Sequence, residues 1–98
     1  MLNKSKPTKV RLRTEAESIK LAYRKLVGEL TRLSPGFRDF DYRDWASVAC
    51  AVKGGVLTVT TKTKCVKVDN IRLYRIINVK VIKLRELTKR FIALSQTI

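Results

Sequence analysis

The sequence predicts an α+β domain of order β-α-β-β-α, a three-stranded antiparallel sheet with two helices packed on one face. Three patterns carry that expectation. Ile19, Tyr23, Leu26, Leu30 and Leu33 recur every three or four residues, one apolar stripe on an amphipathic helix. Two β-rich runs, one from Trp45 to Val52 and one beginning at Val56, flank Gly54-Gly55, a pair suited to a two-residue hairpin turn. Leu73, Ile77, Val81, Leu84, Leu87, Phe91 and Leu94 then form a second, longer stripe.

Each element has a local reason. Residues 8–13, TKVRLR, alternate Val10 and Leu12 with Lys9, Arg11 and Arg13, as a half-exposed strand would, and Pro7 suits a strand start. Thr14-x-x-Glu17 has the spacing of a helix capping box, and Ser34-Pro35-Gly36 halts the helix that follows. Residues 36–44, GFRDFDYRD, read as a strand lead-in or an ordered loop. Their aromatics, Phe37, Phe40 and Tyr42, either stack on bases beside Arg38 and Arg43 or cover the end of the core. The second reading is the more economical. Beyond the hairpin, where Leu57 and Val59 continue the inner face, residues 63–70 fit a strand or a loop, with Asp69 or Asn70 placed to cap a helix. The last stripe predicts a helix to about Ser95; its β-branched start (Ile71, Ile76, Ile77, Val79) leaves a strand over 71–77 as the alternative.

At 98 residues there is room for one domain, spanning 1–98, with 1–7 as a basic flexible arm. Lys and Arg number 22 against 8 Asp and Glu, a net charge of +14. That balance points to a polyanion, and nucleic acid is the commonest inside cells. The basic candidates are Lys4, Lys6, Lys9, Arg11 and Arg13 in the arm and first strand, and Lys62, Lys64 and Lys67 after the hairpin. With no histidine, Ser-His-Asp and Cys-His nucleophile systems and imidazole metal sites are excluded. Cys50 and Cys65 form no CxxC pair, and Arg38 and Arg43 interleave Asp39, Asp41 and Asp44, so no metal or redox motif is supported. No cofactor is expected. Neither a signal peptide nor a membrane-length apolar run is present, so the chain reads as intracellular and cytoplasmic, with no membrane partner.

TEAESIKLAYRKLVGEL, with its Tyr23-Arg24-Lys25-Leu26 segment, resembles the first helix of the small dimerisation subunit of the KEOPS complex, the CTAG/Pcc family. The Gly-Gly-Val-Leu-Thr-Val hairpin and the Leu73-to-Asn78 segment, followed by Val81 and Leu84, are similar to that family's turn and second helix. Tyr74 stands where the family usually has Arg, with Arg75 beside it, and segments 34–44 and 63–70 are longer than its compact pattern needs. The resemblance implies a non-catalytic subunit of the tRNA threonylcarbamoyladenosine complex. It implies a homodimer, or a heterodimer with a paralogue, paired through its sheets. Docking on the catalytic threonylcarbamoyl-transferase subunit and contact with the tRNA backbone are implied as well. Ile19, Tyr23, Leu26, Leu73, Ile77, Val81 and Leu84 are then candidate partner-interface residues, although most of them fit the protein's own core better than an interface.

The alternative is an independent basic DNA- or RNA-binding protein. A ribbon-helix-helix dimer ranks last, because residues 36–53 offer no second helix soon after the first. No residue constellation supports an enzyme.

Overall fold

A computed structural model describes the backbone of residues 8–97 and the side chains of 14–96. The order is α1 (Thr8–Leu33), a 3-10 helix (Pro35–Asp39), α2 (Tyr42–Ala46), β1 (Ala49–Lys53), β2 (Val56–Thr60), β3 (Cys65–Val68) and α3 (Ile71–Thr97). The α+β class and the three-stranded antiparallel sheet are as expected; the β-α-β-β-α order is not. Among the described residues α1, the 3-10 helix and α2 precede all three strands, and α3 follows them.

Residues 8–13 form the first turns of α1 instead of a strand. Their alternation spans too few residues to outweigh a continuous helix in which Lys, Arg and Leu are good helix formers. Thr14 consequently lies inside α1, and a proline at residue 7 suits a helix start as well as a strand start. The third strand comes from the ambiguous segment 63–70. Cys65–Val68 turns Val66 and Val68 inward and Cys65 and Lys67 outward. Residues 71–77 are helical, and Asn70 caps α3 by accepting the Arg72 backbone N–H at 3.0 Å.

The sheet is a meander, β1-β2-β3. Gly54 (φ 59°) and Gly55 (φ 77°) both sit in the left-handed region, as a type I′ turn requires, and pair Lys53 with Val56. The register puts Cys50 and Val52 of β1, Leu57 and Val59 of β2, and Val66 and Val68 of β3 on one face. Against that face runs α3, the element shared by α1, α2 and the sheet. The chain after α1 is stopped as its sequence implies: the Ser34 N–H donates to Leu30 and Pro35 opens the 3-10 helix. A capping box does form, but on α2, where the Asp41 and Asp44 carboxylates each accept the other's backbone N–H.

The core is built from both long helices, the sheet and an aromatic cluster. Leu30, Phe37, Trp45, Val59 and Ile77 are fully buried, with Leu84 beside them. Phe37, Phe40 and Trp45 stack with ring centroids 4.8–5.6 Å apart. Phe37 and Phe40 therefore cover the end of the core, whereas Tyr42 is exposed, with the Arg43 guanidinium over its ring and Phe91 at its edge. α1 and α3 run antiparallel, pinned by Lys80–Glu29 at 2.8 Å and Arg90–Glu15 at 2.9 Å. The sheet covers only the first half of α3, so the helix pair extends beyond it and the molecule measures 57 × 24 × 18 Å.

Candidate nucleic-acid interface

The basic candidates are not gathered at one place. Lys4 and Lys6 lie outside the described residues, as do the side chains of Lys9, Arg11 and Arg13. The backbone of the latter three is in the opening turns of α1, at the end of the helix pair away from the sheet. At ~1.5 Å per residue, Arg11 and Leu26 are ~22 Å apart along the helix axis. Lys20, Arg24, Lys89 and Arg90 lie along the same extension.

The second cluster divides. Lys64 points back into the molecule, where its ammonium meets the Asp44 carboxylate at 2.6 Å and ties the β2–β3 turn to α2. That contact holds the Asp44 carboxyl below its ordinary range and raises the Lys64 ammonium above its own. Thr61 organises the turn: its hydroxyl accepts the Lys64 backbone N–H at 2.9 Å, and its backbone N–H donates to the Lys64 carbonyl at 2.8 Å. Lys62 and Lys67 remain exposed.

Lys67 belongs to a coherent surface. Opposite the core, the sheet presents Ala49, Ala51 and Lys53 from β1, Val56, Thr58 and Thr60 from β2, and Cys65 and Lys67 from β3. Thr58 stands between Ala51 and Lys67 across the strands. The three strands contain no Asp or Glu. The helices pack on the opposite side, and small outward side chains leave the face low and open. Ammonium groups and hydroxyls on such a surface suit phosphate oxygens, which accept hydrogen bonds and carry the charge. Lys53 was not among the sequence candidates. Its signal was the hairpin register, which turns Lys53 and Lys67 to the same side.

The candidate partner residues fare differently. Ile19, Leu26, Ile77, Val81 and Leu84 are buried in the chain's own core, and Tyr23 and Leu73 are half-buried against it. Most of these side chains therefore serve the chain's own core, while Ile19 and Tyr23 also line an apolar pocket of ≈ 290 Å³ with Tyr42 and Phe91. Burial raises the Tyr23 hydroxyl pKa, with the Asp41 and Asp44 carboxylates adding to the effect. Of the three acids between Asp39 and Asp44, two have structural roles: Asp41 and Asp44 form the capping box of α2, and Asp44 holds Lys64. Among the described residues no group of three or more His, Cys, Asp or Glu could hold a metal ion, and no helix is long and apolar enough to cross a membrane. Cys50 is half-buried and its thiol is pushed up by burial, while Cys65 is exposed on the outer face.

Comparison of the chain with protein families, with curated proteins and with solved structures returns no match.

Proposed function

We propose that this protein is a non-catalytic, basic module that holds a nucleic-acid backbone within a larger assembly. The observation that carries this reading is the uncovered face of the sheet. It sets Lys53 and Lys67 beside Thr58 and Thr60, with Lys62 in the adjoining turn and no acid in any strand. Cations on the extended helix pair prolong the attraction along the molecule. Contacts of this kind position a duplex or a strand and carry no sequence information, so affinity follows counterion release.

The test is fluorescence anisotropy of two unrelated 20-mer RNAs against the purified chain as salt is raised. The reading expects a linear fall of log affinity with log salt, with the same slope for both sequences. Absence of binding at low salt, or a marked preference between the two RNAs, contradicts it.

A more specific reading is membership of the KEOPS tRNA-modification complex as its dimerisation subunit, docked on the catalytic transferase subunit. It is supported by the Gly54-Gly55 hairpin and the helical Tyr23-to-Leu26 segment, two of the three features on which the resemblance rests. The helix at residues 8–13 stands against it, because the leading strand of the expected order is replaced. Co-purification with a transferase subunit, together with a dimer in light scattering, supports that assignment. A monomer that ignores the transferase removes it and leaves the broader reading intact.

A further inference from the structure

β1 has a sheet neighbour on one side only. The other free edge is β3, whose inward Val66 packs against the 3-10 helix, where a Cβ built on Gly36 would come within 3.2 Å of it. Along β1 the cover stops short. Val52 shares the inner face with buried Leu57, yet it is 60% exposed. Between β1 and α3 runs a groove made of two adjoining cavities, ≈ 430 Å³ and ≈ 210 Å³, that share Cys50 and Asn78. Its α3 wall carries Arg75, Ile82 and Arg85. Ile82 is 42% exposed, so both walls offer apolar surface.

The charge in this groove is unanswered. Arg85 donates one guanidinium N–H to the Val48 carbonyl at 3.3 Å, while its Nε is buried with no hydrogen-bond partner. Neither cavity is lined by Asp or Glu. A carboxylate docked beside the guanidinium would answer its charge and take up its remaining hydrogen-bond donors.

We propose that the β1 edge and this groove form a docking site for an extended acidic peptide of another protein, which adds to the sheet as a fourth strand. A free edge supplies main-chain hydrogen bonds to any strand, and the groove selects the side chains. Arg75 and Arg85 are ten residues apart on α3, ~15 Å along the helix, and four residues of a strand span ~13 Å. An inward acid at each end therefore matches Arg75 and Arg85, and an apolar residue between them meets the apolar walls that Val52 and Ile82 offer. A second copy of this chain fits worse: its own β1 carries no acid, and each copy brings a charge of +14. The site lies on the face of the sheet opposite the proposed nucleic-acid surface.

The probe is the fluorescein-labelled peptide Thr-Glu-Thr-Val-Thr-Glu-Thr, palindromic so that either strand direction presents the same inward residues. Its control, Glu-Glu-Thr-Val-Thr-Thr-Thr, has the same charge. At physiological salt the probe binds saturably, and the control binds about tenfold more weakly, a difference of ~1.4 kcal/mol. Exposed Val52→Glu and Arg75→Glu each weaken the probe by a similar factor, whereas Lys67→Glu on the outer face changes it little. Circular dichroism melts of the three variants verify that each is folded. Equal binding of probe and control, or equal loss from Lys67→Glu, reduces the effect to net charge and overturns the proposal. A concentration-dependent dimer of the free chain abolished by Val52→Glu assigns the edge to a second copy and also overturns it. The RNA titration is unaffected by any of these results, so the two readings fail separately.

Discussion

Removing the Lys64 ammonium distinguishes a structural cation from a binding one. In Lys64→Ala the 2.6 Å contact to Asp44 is lost, and Asp44, whose side chain is only 14% exposed, keeps the Asp41 backbone N–H alone. Lys64 is itself about one-third exposed, so solvent screens part of the interaction and the loss is modest. It reads as a melting temperature lowered by a few degrees, a shift that calorimetry resolves. Lys62→Ala removes the same formal charge from the same turn but breaks no ion pair among the described residues, so its melting temperature stays within about 2 °C of the parent. The RNA titration inverts the order: Lys62→Ala lowers the salt slope by ~0.7 for a single strand, and Lys64→Ala leaves it nearly unchanged. The pH dependence carries a definite sign. Asp44 has a lowered pKa in the folded state, so its contribution is complete above the ordinary aspartate value of ~3.9 and disappears as pH falls through the lowered value. The parent therefore loses more stability than Lys64→Ala on acidification below about pH 4. Scanning calorimetry across that range, with anisotropy for the slope, measures all three effects. Equal melting temperatures for the two variants, or a slope change confined to Lys64→Ala, would refute the assignment of Lys64 as a structural cation.

Other outcomes follow from the same packing. Leu84→Ala empties a fully buried position between the helices and the sheet and lowers stability by ~2–5 kcal/mol in urea denaturation, whereas Leu21→Ala, on an exposed face, changes it by under about 0.5 kcal/mol. Gly55→Val imposes a positive φ on a β-branched residue and costs ~1–2 kcal/mol by the same assay. Gly55→Asn costs less, because a Cβ there meets nothing within 4 Å and the penalty is backbone alone. Asn70→Ala removes the α3 cap and costs ~1 kcal/mol, read as a lower thermal midpoint. Iodoacetamide modifies exposed Cys65 well before Cys50, whose burial both shields the thiol and disfavours the thiolate; mass spectrometry of a brief reaction reports the order.

How far the fold could be read from residues depended on the length of each signal. The stripes at 19–33 and 73–94 are long enough to outvote their β-branched members, and both are helices. Gly54-Gly55 is a local constraint that no packing overrides, and its hairpin forms as read. Residues 8–13 failed because six alternating residues support a strand only if a neighbour pairs with them; joined to a long helix, they extend it. Val66 and Val68 make a strand of four residues, too brief to stand out among lysines and threonines, and β2 decides its state by pairing. The proposed binding surface was legible only in part. Lys67 was found by charge, but the clustering of Lys62, Lys64 and Lys67 concealed that Lys64 turns inward to an acid twenty residues earlier. Lys53 joins the surface through register, and the Arg85 groove through tertiary packing. Neither leaves a trace in composition.

The account's central claim is that the uncovered sheet face carries the nucleic-acid contact. Titrating the ¹⁵N-labelled protein with a 20-mer RNA at low salt, and mapping the amide resonances that shift, tests it directly. The largest shifts are expected on Lys53, Thr58, Thr60 and Lys67 and on the turn at Lys62, with smaller ones along the helix pair. Shifts concentrated on α1 and α3, with the sheet silent, would contradict it.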